Sequence, residues 1–439
     1  MLSENTRIVR VLRLAHRAFK WGGGEMLRFV MTRMVPLALA VGATSMLGGD
    51  AVAQDAPTKV KMFRAAELGW KKHHVRAGDG EGGWEYKKAE FQFLHAPGFQ
   101  MMPFGLAQMD NGEVILIAAA TDKQSNQQPV VAFSKDGGDT WSEWQSIPNA
   151  RGHRPMMLAY MGKGNLTFQS NKRYYSSDYG RNWPDEVAVP PAPGGKLWGT
   201  EGNPLVERDA AGNVVMAETG YGNLDGYPAG ATLTYIRWSS DGGRTWTDGI
   251  SPKEWLWDDT FEGKTYTRGV SEGALVRASN GWLVAALRTD MQGRWIPSSN
   301  DNYEGAGVSI SKDNGKTWSP VKIIHRGGRM HMHFVKMPNG NLAMIYVMRQ
   351  DIAPDGIHYS SYRRGCGALV SKDNGLTWDV SREYMLHEFD HVTAAEGTHE
   401  GIGALACGHT CSALLKDGSI LTAYGHYVTN GIGMVRWKP

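Results

Sequence analysis

Along most of this chain, apolar and polar residues alternate in runs too short for helices. Six times an apolar run meets a tight polar turn and a second apolar run follows. The turns lie at Asp110–Gly112, Lys163–Asn165, Ala211–Asn213, Ser279–Gly281, Pro338–Gly340 and Lys416–Gly418. The flanks are strand-like, as from Val114 to Ala118, Trp282 to Leu287 and Leu342 to Val347. Such pairs predict antiparallel hairpins. No segment of helical period and useful length appears between residues 57 and 439.

Between the hairpins an eight-residue phrase recurs five times. Its first copy carries Ser134, Asp136, Gly138, Thr140 and Trp141. The others centre on Asp178, Asp241, Asp313 and Asp373, ending in Trp183, Trp246, Trp318 and Trp378. Repetition at this interval marks an array of supersecondary units. Asp and Gly supply turn chemistry, and the Trp begins the next strand, where it can pack between units.

The phrase S-x-D-x-G-x-T-W resembles the Asp box, or BNR repeat, of the sialidase-like propellers. The resemblance implies an all-β, six-bladed β-propeller spanning residues 57–439, with the Asp boxes on outer turns away from the active site. The sixth hairpin has no box and is followed by one more strand, from Met434 to Trp437. Its missing fourth strand is expected from Val60 to Ala66, which would close the ring and remove the exposed edges.

Composition changes little. The 439 residues carry a formal charge of +3, which gives no reason to expect nucleic acid or a membrane surface as partner. Residues 1–53 are read as an N-terminal extension and signal peptide. Arg28 and Arg33 precede an apolar run from Val35 to Leu47, and Ala51, Val52 and Ala53 fit a cleavage site. The mature protein is therefore expected to be secreted or periplasmic, and monomeric. Three cysteines are too few for a disulfide scaffold. Cys407, His409 and Cys411 alternate and would share a strand face, but at a spacing too long for one tetrahedral ion, so neither a metal nor a cofactor is expected.

Inner strands of a propeller begin at one mouth, and the loops after second strands border it. Those positions hold Met101, Met102, Asp122, His153, Arg154, Glu201, Glu218, Tyr221, Glu272, Arg288, His331, His333, Arg349, Arg363, Arg364, His409, His426 and Tyr427. Ionisable groups from separate units meeting at one place suit a polar ligand such as a sugar, and arginine suits its carboxylate. The sialidase resemblance puts Glu272 and Arg288 in the segment holding the family's glutamate and second arginine, and Arg364 at the third. It also shows departures. Met101 and Met102 stand where the first arginine belongs, and His409 where the nucleophilic tyrosine belongs. Asp122 is the candidate acid.

Glu201 and Glu272 open the inner strands of neighbouring units, as the two glutamates do in the similar exo-arabinanases. Paired carboxylates are the machinery of glycoside hydrolysis. The leading expectation is a secreted, exo-acting glycoside hydrolase of sialidase-like type, releasing a terminal sugar, acidic sugars included, from a glycan. Its catalytic candidates are Glu272, Glu201, His409 and Asp122. Its substrate-binding candidates are Arg288, Arg364, Arg154, His153, His331, His333, Arg349 and Tyr427. Two alternatives remain open: a lyase abstracting a proton beside a uronate carboxylate with His or Tyr, and a non-catalytic glycan-binding propeller.

Overall fold

All six expected hairpins are present as antiparallel strand pairs. The computed structural model describes residues 71–439 apart from 196–197, 224–231, 262, 291–303, 350, 353–358, 362, 391–406 and 427–429, together with Met62–Phe63 and Ala66–Glu67. The leader read at residues 1–53 lies outside the described residues, as does Tyr427. Helical structure among the described residues is confined to single turns at Pro148–Ala150, Lys253–Trp255 and Val380–Arg382.

The first four hairpins lead four separate sheets, whose first strands are Gln100–Gln108, Met157–Gly162, Leu205–Arg208 and Val270–Arg277. The fifth and sixth, led by Arg329–Lys336 and Cys407–Leu414, share one ten-stranded sheet. The architecture is all-β and propeller-like: the six hairpins lie in four separate sheets and one large one where six separate blades were expected, with two further two-stranded ribbons, Trp257–Phe261 with Lys264–Arg268 and Asp351–Ile352 with Tyr359–Ser361. The joint is Lys71–Gly78, which pairs with Tyr384–Asp390 on one side and Trp84–His95 on the other.

The closing strand also differs from expectation. Trp84–His95, not Val60 to Ala66, pairs with Gly431–Trp437. Met62–Phe63 pairs instead with Trp144–Ser146 at the outer edge of the first sheet. The twelve residues of Trp84–His95 cover both neighbours, and Phe91 and Leu94 anchor it in the core.

Each repeated turn works locally. The Asp136 carboxylate accepts hydrogen bonds from the Thr140 backbone N–H at 2.8 Å and hydroxyl at 2.6 Å. The Trp141 indole donates to the Gly138 carbonyl at 3.0 Å. Asp313, Thr317, Gly315 and Trp318 repeat this arrangement. Buried apolar residues of the described chain fall into six clusters between consecutive hairpins. The cluster joining Leu421, Ala423 and Met434 to Leu106, Leu116 and Ala132 packs the last strands on the first sheet.

Glu218, a candidate for the mouth, is structural. It is buried between Arg173 and Arg237, accepting from Arg237 Nε at 2.9 Å. Arg237 in turn stacks on Trp198 at 3.8 Å. Glu218→Ala would leave two buried guanidiniums without their carboxylate, a change costing about 3–5 kcal/mol. The expected result is a markedly lower Tm, read by thermal denaturation. A Tm within about 1 °C, roughly 1 kcal/mol or less for a chain this size, would count against that role.

A half-buried histidine sits where the large sheet is joined. His387 stacks on Phe91 at 4.1 Å, with His73 at 5.6 Å and His426 at 6.2 Å. Burial, then His73 and His426, push its pKa down to about 3. The unfolded chain, with histidine near 6.5, binds this proton more readily. Stability should therefore be full above that value and fall as pH drops from about 6.5 towards 3, by about 1.4 kcal/mol per pH unit for this group. In Tm measurements from pH 7 to 4, His387→Phe should flatten the decline. An unchanged slope would show that other groups carry it.

Candidate active site

Four inner strands begin with the same irregularity. In the fourth sheet, Ser271 faces Arg288, but the next aligned pair is Ala274 and Ala286. The register likewise shifts between Met330 and His333, between Gly408 and Thr410, and between Pro103 and Gly105. Each shift is a bulge, which breaks the alternation and re-aims a side chain. The side chains so aimed are Glu272, His331, His409 and Phe104. Three of these residues take left-handed backbone, with φ +42° at Glu272, +52° at His331 and +40° at His409. Such a conformation costs on the order of 1–3 kcal/mol for a non-glycine residue and clusters at functional sites.

Glu201 reaches the same place from the loop before Leu205–Arg208. A Cβ on Gly202 would lie 2.1 Å from the Gly273 carbonyl oxygen, so only glycine lets the two backbones touch. Asn203 fastens the contact. Its carbonyl accepts from Leu275 N–H at 3.0 Å, and its side-chain oxygen accepts from Phe334 N–H at 2.8 Å. Glu201 and Glu272 are thereby set side by side.

The resulting group is buried. His331 Nδ1 stands 2.9 Å from Glu272 Oε2 and 3.5 Å from Glu201 Oε2. These carboxylate oxygens are therefore at most 6.4 Å apart, the sum of those two distances. His409 Nε2 lies 3.6 Å from Glu201 Oε2, and its ring packs between His331 at 4.2 Å and Phe104 at 4.3 Å. Arg154 pairs with Glu201, and Arg288 pairs with both Glu272 and Glu304. Arg349 donates to His331 Nε2 at 3.1 Å.

These surroundings drive the two carboxylates apart electrostatically. Burial, reinforced by the charge of Glu272, raises the pKa of Glu201. Burial opposes ionisation of Glu272 too, but Arg288 and then His331 outweigh it and hold its pKa well below the usual range. Burial, followed by His331 and Arg154, keeps His409 neutral with a pKa well below 6.5. Burial, with both glutamates, lifts the Tyr221 phenol well above 10, so it stays a hydrogen-bond donor. Opposed pKa values in one carboxylate pair assign an acid and a base.

Glu201, His331 and His409 each present a ligand atom within 4.8 Å of the others, a spacing a divalent cation could bridge. The donor chemistry opposes it. A guanidinium can only donate, so Arg349 makes His331 Nε2 an acceptor and leaves the ring proton on Nδ1, the nitrogen a metal would need. Arg154 already neutralises Glu201.

The other expected site residues take varied positions. Asp122 is half-buried in a surface turn, and its carboxylate accepts from Gln124 and Asn126 N–H groups at 2.9 Å, closing that turn. Hydrogen bonds from Asn126 lower its pKa, so it is no acid catalyst at neutral pH. His153 is exposed, outside the buried group. His333 lies past the bulge, opposite Ile345, and burial lowers its pKa to about 4. Arg364 is buried on Arg363–Ser371, opposite Phe389. Met101 belongs to the core. The bulge at His409 also separates it from Cys411, which is buried in that same cluster. Sequence reasoning missed Phe104 and Glu304. Phe104 carried a signal, since Phe104-Gly105 repeats the residue-then-glycine pattern of Glu201-Gly202 and Glu272-Gly273.

The family model for the BNR repeat-like domain matches residues 170–426, more than half of the 439. The chain belongs to the BNR repeat-like family. A curated relative of this BNR protein is a sialidase of Clostridium perfringens, 22% identical over 290 residues. That match covers 59% of this chain and 66% of the sialidase, just under two thirds of its length. Among solved structures, a Dyadobacter fermentans protein of unknown function matches with TM-score 0.56 and 16% identity, over 84% of this chain and all of that one. The NanB sialidase of Streptococcus pneumoniae matches with TM-score 0.45 and 13% identity, over 77% of this chain and 68% of that one. The match to the Dyadobacter protein supports the fold, and the family match identifies a BNR repeat-like protein.

Proposed function

We propose that this BNR protein is a retaining glycoside hydrolase, with Glu272 as nucleophile and Glu201 as acid and then base. One observation carries the reading: two buried carboxylates from neighbouring sheets meet at His331 Nδ1, no more than 6.4 Å apart and with opposed pKa shifts. Retaining enzymes hold the pair at about 5–5.5 Å and inverting ones at about 6.5–9.5 Å, leaving room for water. The bound holds for one oxygen pair and lies between the two ranges; the approach of both carboxylates to a single ring nitrogen is what supports the retaining assignment. Side-chain exposures of 3% for Glu201 and 6% for Glu272 favour the end of a glycan over its middle, hence exo action. A secreted or periplasmic location, from the leader read at residues 26–53, would place the enzyme among such glycans. The ten-stranded sheet then counts as two blades sharing a seam, giving six.

In this scheme Glu272 attacks the anomeric carbon as Glu201 protonates the departing oxygen. Glu201 then deprotonates the water that releases the sugar from Glu272. The test is a panel of aryl glycosides and polysaccharides, with product configuration followed by NMR. Release of a terminal sugar with retained configuration is expected; inversion would overturn the assignment of Glu272 as nucleophile. His409, a buried neutral imidazole near Arg154, favours a lyase as the second reading. An ultraviolet-absorbing unsaturated product would select it.

A further inference from the structure

We propose that the outward face of the strand pair Lys71–Gly78 and Trp84–His95 is a second carbohydrate site, which holds an acidic polysaccharide on a strip of aromatic and lysine side chains remote from the paired glutamates. The choice of a glycan as occupant rests on the hydrolase reading; the strip itself does not.

The pairing of the two strands makes the strip. Gly78 faces Trp84, Arg76 faces Tyr86, His74 faces Lys88 and Lys72 faces Glu90. Neighbours along a strand point to opposite faces. Val75, Ala77, Ala89 and Phe91 are buried, so the alternate set carrying Trp84, Tyr86 and Lys88 points outward. Trp84 is 39% exposed and Tyr86 67%. Among the described residues six large apolar side chains stay this open, and these two alone are aromatic and share one strand face. Single exposed apolar residues are ordinary, but two adjacent rings offer a surface for stacking. The Arg76 guanidinium lies 4.6 Å from the Trp84 ring centre and is itself held by Glu388, which fixes that ring.

Beyond the rings the strip runs into a groove of about 490 Å³. Lys72, Lys88, Arg436 and Lys438 line it, against the carboxylates of Glu90 and Asp417. Arg436 is shared by Glu90 and Asp139, and Asp417 caps its own turn, accepting from Ser419 N–H at 2.9 Å. Lys438 Nζ donates to the neutral Asp417 carbonyl at 2.9 Å. Lys72 and Lys88 make no ion pair or hydrogen bond among the described residues. Positive charge is therefore left over. From Trp84 to Lys88 the strip is about 13 Å long before the groove begins, the reach of an oligosaccharide and not of one sugar. Sugar rings present apolar faces to aromatics, and the carboxylates or sulfates of an acidic chain suit ammonium groups. Two rings are too small an apolar patch for a protein partner or a lipid surface.

The groove is no extension of the glutamate site. Asp417 and Ser419 belong to the turn joining Cys407–Leu414 to Ile420–His426, at the far end of that hairpin from His409. Strand rise alone puts the two ends about 20 Å apart. A polymer held here is kept at raised effective concentration near the centre that cuts its end. The strip should therefore lower KM for polymers and leave small glycosides unaffected.

Affinity electrophoresis of the full chain in gels carrying polygalacturonate, carrageenan or neutral dextran tests this. Retardation by an acidic polymer and none by dextran is expected, and the stronger of the two acidic gels tells carboxylate from sulfate. Tyr86→Ala should weaken retardation on the order of 10-fold, as loss of one well-placed aromatic contact does. Lys72→Ser combined with Lys88→Ser should weaken it about five-fold and flatten its salt dependence. All three side chains are exposed, so Tm should hold. Every variant should keep kcat and KM on an aryl glycoside, while KM for the polymer rises in step with lost retardation. No retardation in either acidic gel, equal retardation in dextran, or retardation that the variants do not weaken would overturn the site. Tighter binding of single-stranded DNA, lost in the same variants, would make the strip a nucleic-acid surface and overturn it as well. Turnover of aryl glycosides without retardation defeats this proposal alone. Variant-sensitive retardation without turnover of any glycoside defeats the hydrolase reading alone.

Discussion

Glu272→Gln is expected to remove glycoside turnover almost completely, lowering kcat on the order of 10⁴-fold or more, as loss of a nucleophile does elsewhere. The amide keeps the volume of the carboxylate, and its oxygen can still accept from Arg288, which also retains Glu304. It cannot attack the anomeric carbon. The fold should therefore survive with little change in Tm, while substrate still binds. A 2-deoxy-2-fluoro glycoside with a good leaving group should label the unmodified enzyme on Glu272 and leave the variant unlabelled, read by peptide mass spectrometry. A variant retaining more than roughly 1% of kcat would be incompatible with a covalent role.

The same position shows why some of the site was legible and some was not. Hairpins and Asp boxes were readable because their chemistry is local: an Asp, a Gly and a Trp within eight residues make each turn. The closing strand was not, because pairing across the ring is decided by distant partners. Trp84–His95 wins through length and the burial of Phe91 and Leu94, not through any short signal. Glu201 and Glu272 were legible because they open the inner strands of neighbouring units, and each is also followed by a glycine. Phe104 carried the same sign, but an apolar residue drew no functional reading. Glu304 opens a strand without any motif and is recognisable only through Arg288.

The misplaced residues are equally instructive. Asp122 is followed four residues later by Asn126, and Asp209 by Asn213, with the same self-capping bonds in each. That spacing marks a turn, not an acid. Glu218 sits one residue from Thr219, which bonds the Gly273 carbonyl at 2.7 Å beside the site. On a strand, neighbours point to opposite faces, so Glu218 is turned into the interface with Arg173 and Arg237. The four bulges are the step that periodicity could not supply. Alternation holds on either side of each, and only the inserted residue reaches the centre.

Removing Glu201 should give a loss that depends on the leaving group. Glu201→Ala deletes the proton donor, so glycosides with poor leaving groups should slow by about 10²–10⁴-fold. A dinitrophenyl glycoside departs without protonation, so its first step should remain fast, and a burst of phenolate should precede slow turnover as the glycosyl-enzyme accumulates. Azide needs no base, so it should restore turnover and yield a glycosyl azide of retained configuration. The pH profile supplies the sign. Activity requires Glu272 ionised and Glu201 protonated, so it should fall at low pH as Glu272 gains a proton and at high pH as Glu201 loses one. Because burial raises the pKa of Glu201, the high-pH limb should lie above the ordinary carboxylate value, and Glu201→Gln should erase that limb while leaving the other. Equal losses across all leaving groups, with no response to azide, would reduce Glu201 to a structural partner of Arg154 and leave Glu272 without its acid.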